Sequence, residues 1–509
     1  MDTYIRKHES KKDQMSTKKM GYALAIIGAL GTFVSVIIDY LGFGEGGIQA
    51  AQILGILAGI IIAILGLSVV TQVPEKQVDI GNSLRHGAKR LLDLPVSVWF
   101  VIGFLVVYVL LFIFPVFLNA DRSMVYFNRF LPNRNPIGAD MNYTLEFVKT
   151  WVTTGESPYP ASHYPPLAYI LLSPLTLFDY PDVYIVSTCL TLFSYIVLTL
   201  LLPTLLTSKK DLSLILLLSV TGLFSYGFQF ELERAQYYSM AFLLCMLAIY
   251  IFHRHYEFRY LAYLLFSFSV HMKIAPIFFL PMLIKDWRDW KGNSRRIIGL
   301  GLLNLALFFS LGYRNLINFI RAFRDVVQTP TFLWNGNHSL SNFAYNFVNG
   351  GYDLISEDGI IFLQKNAKLF EWLLLLFIAL CVLSIILHIY RNGRTGFNPY
   401  LLLACAICAL VIPVSVDYTL PLLVAPLAIF LSSLPILGGS SLKKIVSILL
   451  ILVASISYAS LLYPFKYKPY FLNNSFPPLF LLLVTVTLVY FLQGQYSTES
   501  QRLNDPVDV

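Results

Sequence analysis

Charge is what this chain has least of. Lys, Arg, Asp and Glu make up 13% of its 509 residues, against about 25% in a soluble domain, and the shortfall excludes an ordinary water-soluble fold. Cysteine is scarce as well. Cys189, Cys245, Cys381, Cys405 and Cys408 all lie in apolar runs, which argues against a disulfide framework and a cysteine metal site. Cys405 and Cys408 have CxxC spacing, but in a Leu- and Ala-rich run they read as small packing residues before a redox pair. No segment has the length and polarity of a separate soluble domain, and no Gly-rich loop follows a strand pattern, so no nucleotide-binding signature is present. The net charge of +8 does not indicate nucleic acid, because the cations sit where membrane topology requires them.

What fills the chain is hydrocarbon. It is 57% hydrophobic, with a mean hydropathy of +0.66. Near-spanning apolar runs fall at residues 21–40, 50–72, 96–118, 182–206, 212–228, 237–252, 260–272, 274–284, 297–313, 372–390, 397–413, 419–437, 445–463 and 479–493. The fold class expected is an all-α polytopic membrane protein with about 13–14 spanning or re-entrant helices. The first run follows a basic segment ending Lys18-Lys19-Met20, but it is too long for a signal-peptide core and lacks a small-residue cleavage site, so it reads as a retained span.

With both termini cytoplasmic, about 24 of the 37 Lys and Arg residues fall in short inside segments, clearest in Lys285-Asp286-Trp287-Arg288-Asp289-Trp290-Lys291. Segments 119–181, 314–371 and 464–478 then lie outside. Runs 260–272 and 274–284 are each too short to cross alone, and they meet at His271-Met272-Lys273, a break tolerated where it lines a polar cavity. Residues 165–178 read as a re-entrant or interfacial helix. In Arg314–Gln328, apolar Leu316, Ile317, Ile320, Phe323 and Val327 alternate with Arg314, Arg321, Arg324 and Asp325, the pattern of an amphipathic helix on the outer surface.

The chemistry concentrates in one polar island, 119–166. Asp140 follows Gly138-Ala139 just beyond the third span, where a carboxylate can act as general base; it can equally cap a helix over Met141–Trp151. Lys273, inside a membrane segment, costs about 2.5–3.5 kcal/mol on insertion scales. It is either a cation for an anionic ligand or a side chain snorkelling to the interface or pairing with helix-end carbonyls. Glu231, Glu233 and Arg234 form either a local ion pair or a phosphate-facing Arg234 oriented by Glu233. His338, in Trp334-Asn335-Gly336-Asn337-His338-Ser339, is a phosphate or acceptor contact or a surface histidine. Asn337-His338-Ser339 also has the form of a glycosylation sequon, which carries little weight. Asp417 beside Tyr418 either lines a cavity or caps a helix, with capping the stronger reading. Tyr143, Tyr159 and Tyr164 either pack the loop or offer ring faces to a ligand. No second carboxylate stands at metal spacing from Asp140, Glu146 being its nearest acidic neighbour in sequence, so no metal is expected.

Gly138-x-Asp140-x-x-Tyr143, Gly155-x-x-x-Tyr159, Tyr164-Pro165-Pro166-Leu167 and Pro174-Leu175 resemble the first external loop of GT-C glycosyltransferases. The likeness is to the polyprenol-phosphate-mannose-dependent mannosyltransferases of glycosyltransferase family 87. It continues through Phe230–Gln236, Lys273-Ile274-Ala275-Pro276, Asn335–Asn342 and Asp417-Tyr418-x-Leu420, covering about residues 95–440. Two departures stand out: Ala235-Gln236 replaces the usual Gly-Gln or Gly-Asn, and residues 1–92 add two spans to the 93–509 core. The resemblance implies inverting, metal-independent and cofactor-free transfer of a hexose, mannose by analogy, from a polyprenyl-phosphate donor to a glycolipid or glycan acceptor outside the plasma membrane. It implies Asp140 as base, Lys273, Arg234 and His338 on the donor phosphate, and Tyr143, Tyr159, Tyr164, Glu233, Gln236, Asn337, Asp417 and Tyr418 around the substrates. A transporter or flippase would show matching breaks in two halves, and only the Lys273 break is evident. An O-antigen-type polymerase would rely on external Arg and His instead of an aspartate loop.

Overall fold

The computed structural model describes residues 95–108, 137–159, 162–207, 211–328, 336–349, 361, 364–393, 395–434, 441–462 and 474–502. The two N-terminal runs, the far half of the third, residues 119–136 and residues 463–473 lie outside the described residues, as do Trp334 and Asn335. The helices are α1 (Val96–Tyr108), α2 (Ala139–Thr154), α3 (Pro166–Leu172, continued as a 3-10 run to Leu177) and α4 (Tyr180–Leu206). Then come α5 (Leu212–Leu223), α6 (Tyr226–Arg234), α7 (Tyr238–Arg254), α8 (Arg259–Met272), a 3-10 run Ala275–Leu283, α9 (Trp290–Phe308) and α10 (Tyr313–Gln328). The rest are α11 (Leu340–Val348), α12 (Ala367–Arg391), α13 (Pro399–Val411), a 3-10 run Asp417–Leu423, α14 (Val424–Ser433), α15 (Ser441–Leu462) and α16 (Phe476–Arg502). Among the described residues there is no strand, only a single bridge between Asn337 and Val416. The chain is an all-α polytopic membrane protein.

Among the described residues, α4, α12 and the Lys444–Leu461 part of α15 are long and apolar enough to cross a membrane unaided, or five spans qualify if the bent pairs α5–α6 and α9–α10 each count as one. Other apolar helical stretches are shorter: α13, with 13 residues, rises only about 20 Å against roughly 30 Å of hydrocarbon. Every residue from Tyr400 to Val411 is buried, so this helix, apolar all round, forms the centre of the protein and does not face lipid. Asn398 starts it by accepting the Tyr400 and Leu401 N–H groups, ahead of Pro399 at the first helical position.

The sequence suggests one broken helix, at Lys273; the structure adds more. Helices α5 and α6 meet at 51°, where the Ser225 hydroxyl accepts the Phe228 N–H and begins a new helix. Helices α9 and α10 meet at 99°, turning through Gly312 at φ 85. Helix α10 is amphipathic as expected, but its buried stripe is Leu316, Phe319 and Ala322, and Ile320 is exposed. An interfacial helix keeps one apolar side for protein and one for bilayer, and the sequence pattern does not separate them.

The loops sort into two ends. At one, Arg254 donates to Leu206 O, Gly396 N–H to Lys285 O and Arg288 to the carbonyls of Tyr390 and Arg391. These are loops of the positively charged set. At the other, Gly138 N–H donates to Glu233 O and His338 N–H to Ser415 O, while Ser157 Oγ bonds Asn315 Oδ1. Between these ends, α6 packs closely on the Asp417–Leu423 run because Gly227 has no side chain: a Cβ there would strike the Asp417 carbonyl oxygen and the Pro421 ring. Gly227→Ala should therefore cost about 1–3 kcal/mol, read as a lowered melting temperature in detergent. An unchanged melting temperature would show that the α6 contact is slack.

Candidate functional site

Asp140 sits in the first turn of α2. It does not cap that helix: Gly138 holds the N-cap position at φ 76, with no side-chain cap. Gly138 is pinned from two sides, its N–H bonding Glu233 O at 2.6 Å and its carbonyl accepting Tyr180 OH at 2.5 Å. A Cβ at Gly138 would run into the Tyr180 hydroxyl and the Tyr184 ring, so the Gly-x-Asp spacing anchors the start of α2 against α6 and α4. Tyr184 OH, bonded to Leu232 O at 3.2 Å, secures the same corner.

Both oxygens of Asp140 are held. Arg234 Nη1 lies 3.0 Å from Oδ1, and Gln236 Nε2 donates to Oδ2 at 2.7 Å. The carboxylate keeps 28% of its side-chain surface open. Arg234 is further fixed by Glu233 Oε2, 3.3 Å from its Nε, and by the Phe230 ring, 5.2 Å from its guanidinium carbon. The turn that places Arg234 and Gln236 side by side depends on Ala235 at φ 51, closing α6 with a Gln236 N–H to Glu231 O bond of 2.9 Å. Ala235 thus adopts a left-handed backbone that glycine takes up without strain. Ala235→Gly should stabilise the chain by about 1 kcal/mol without displacing Gln236; differential scanning of the two forms checks it.

Lys273, 4% exposed, lies between α8 and the Ala275–Leu283 run. Its Nζ donates to Gln236 Oε1 at 2.7 Å and to Tyr164 OH at 3.2 Å. The rings of Tyr164, Tyr237 and Tyr238 stand 4.3, 4.3 and 4.2 Å from the same nitrogen. This is an aromatic cage, not a snorkelling side chain. Nearby, Glu231 is fully buried and accepts the Ser239 N–H at 2.6 Å and its hydroxyl at 2.8 Å. Burial raises the Tyr164 phenol to about 12, so it stays protonated at neutral pH. His163, exposed as a residue, stacks on the Tyr164 ring with centroids 5.3 Å apart. Partial loss of water around the ring, and then the Lys273 ammonium, push its imidazole below the usual histidine value.

The other expected residues are placed differently. Tyr143, 61% exposed, lies one turn on from Asp140 and points out. Tyr159 packs the loop, its hydroxyl on Tyr164 O at 2.7 Å and its ring against Tyr169 and Phe319. His338 and Asp417 are buried together, Nε2 to Oδ1 at 2.9 Å, and Ser475 N–H donates to His338 Nδ1 at 3.1 Å. A nitrogen that accepts from an amide carries no proton, so the ring is the Nε2–H tautomer and both nitrogens are engaged. Asp417 therefore serves His338 and does not cap a helix; its run has no side-chain cap. Asn337 is buried, its Oδ1 accepting the N–H groups of Ser339 and Ser415, so the sequon is closed in the folded chain. Tyr418 links this knot to the cage, its ring 5.5 Å from Phe230 and 5.4 Å from Tyr238. Sequence reasoning leaves out Tyr180, Tyr184, Tyr237, Tyr238 and His163 as site residues. Of these only His163, beside Tyr-Pro-Pro-Leu, carries a local signal.

The assembled group is three carboxylates, Asp140, Glu231 and Glu233, and two cations, Arg234 and Lys273, linked by one glutamine amide. Among the described residues no three His, Cys, Asp or Glu side chains gather as a metal cradle. A solvent-open, fixed carboxylate in such a group is equipped to accept a proton from a hydroxyl. No curated protein matches this chain. The model of glycosyltransferase family 87 matches residues 163–426, just over half of the 509 residues, taking in His163, Tyr164, Arg234, Gln236, Lys273, His338 and Asp417. The chain belongs to glycosyltransferase family 87 and is a membrane-embedded glycosyltransferase.

Proposed function

We propose that the chain has a GT-C-type fold and moves a hexose, mannose by family resemblance, from a polyprenyl-phosphate donor to a glycolipid or glycan acceptor. The site would face the extracytoplasmic side of the plasma membrane, with both termini cytoplasmic. The observation that most supports this is the Asp140 carboxylate, held by Arg234 and Gln236 yet open on one edge. Asp140 takes the proton of the acceptor hydroxyl as that oxygen bonds the anomeric carbon. The bond from that carbon to the phosphate oxygen breaks on the opposite face, the configuration inverts and polyprenyl phosphate leaves. Of the three cations expected at the phosphate, Arg234 has donors to spare. A guanidinium carries five N–H groups, and its contacts with Asp140 and Glu233 run through Nη1 and Nε. His338 instead positions Asp417 and Tyr418. Tyr143, exposed on the helix that carries Asp140, is a stacking face for sugar. Transfer without a divalent cation is expected, as the family resemblance implies.

The test is transfer by the purified full chain from radiolabelled polyprenyl-phosphate-mannose, or from the nucleotide sugar, to a lipid acceptor extract, with and without EDTA. The expected result is transfer from the lipid-linked donor alone, unaffected by EDTA. Transfer from the nucleotide sugar only, or complete loss with EDTA, would sink it.

A further inference from the structure

Lys273 is the obvious cation for an anionic donor, but its surroundings direct it elsewhere. An ammonium has three N–H donors. One goes to Gln236 Oε1 at 2.7 Å and one to Tyr164 OH at 3.2 Å. The rings of Tyr164, Tyr237 and Tyr238 stand within 4.3 Å of Nζ. A phosphate reaching the remaining donor would have to displace one of these rings.

The amide between Lys273 and Asp140 has only one possible orientation. An ammonium only donates and a carboxylate only accepts, so Gln236 must turn Oε1 to Lys273 and Nε2 to Asp140, as it does. Hydrogen bonds in series polarise one another. A cation on Oε1 makes the Nε2 protons better donors, and these steady the charged form of Asp140. We propose, resting on the reading of Asp140 as base, that Lys273 is a positioning residue that acts on Asp140 through Gln236 and does not bind the donor phosphate. Arg234 fixes Oδ1 and the Lys273–Gln236 pair fixes Oδ2, leaving the open edge of the carboxylate as the only approach for a hydroxyl. The aromatic cage keeps water and anions off the ammonium, so its charge acts on the amide.

The experiment uses the purified full chain and the variants Lys273→Met, Gln236→Leu and Asp140→Asn. Two readouts are taken: the pH profile of transfer from the lipid-linked donor, and binding of undecaprenyl phosphate in detergent. Lys273→Met should slow transfer at least about tenfold and move the acid limb to higher pH by about one unit, because losing a nearby cation makes a carboxylate easier to protonate. Gln236→Leu, which leaves the lysine in place, should move the limb the same way, and it keeps the test decisive if Lys273→Met does not fold. Undecaprenyl phosphate binding should stay within about twofold in both. Binding weakened tenfold or more in Lys273→Met, with the acid limb unmoved in both variants, would make Lys273 a phosphate ligand and overturn the proposal. Full transfer by Asp140→Asn would instead remove the base reading on which the proposal rests.

Discussion

Asp140→Asn is expected to lower glycosyl transfer by about 10²–10⁴-fold, the usual range for losing a general base, while leaving the chain folded. The substitution is nearly isosteric. The new amide oxygen can accept from either Arg234 or Gln236, now at 3.0 and 2.7 Å from the two carboxylate oxygens, though not from both with the same strength. Some loss of stability accompanies it, since Arg234 keeps only Glu233 as a charged partner at 3.3 Å. The two effects separate experimentally: transfer rate is measured beside the melting temperature in detergent, and Asp140→Ala serves as the variant that cannot bond at all. Equal transfer by wild type and both variants would remove Asp140 from the chemistry and leave it as the anchor of the α2–α6 corner.

His338→Ala should have the largest effect on stability. The ring joins three chain segments by itself, taking the Ser475 N–H on Nδ1 and giving its proton to Asp417 from Nε2. Removing it leaves a buried amide donor and a buried carboxylate without their partner. Each such orphan costs a few kcal/mol, and about 3 kcal/mol or more is expected in total. Thermal inactivation in detergent should therefore be much faster, and transfer should fall through loss of active protein, with the donor KM unchanged in what remains. A stable variant with a raised donor KM would point the other way, to a histidine that meets the donor.

The parts of this protein legible in its sequence are those where polarity stands out against hydrocarbon. Asp140, Lys273 and the Tyr164-Pro165-Pro166-Leu167 turn are visible because an apolar chain has few reasons to keep them, and Lys273 does fall at a helix break. The cage is not visible, because Tyr237 and Tyr238 sit at the head of an apolar helix where an aromatic is the ordinary packing residue. Only the fold brings their rings around an ammonium 35 or 36 positions on in sequence. His338 and Asp417 were each conspicuous, but their pairing across 79 residues leaves no spacing to read. Apolar runs locate helices well, as α4 and α12 show, yet they do not distinguish a helix bathed in lipid from α13, which is wrapped in protein.

Gln236 has one more property, which follows from its being an amide. It joins two charged groups and passes no proton between them, because its N–H protons are far too weakly acidic to exchange roles with a carboxylic acid. Lys273 thus steadies Asp140 without being able to neutralise it by transfer, as a direct ammonium–carboxylate contact in a dry site could. On the base reading, a proton taken up by Asp140 cannot pass inward through Gln236, and the open edge of the carboxylate is its way back to solvent.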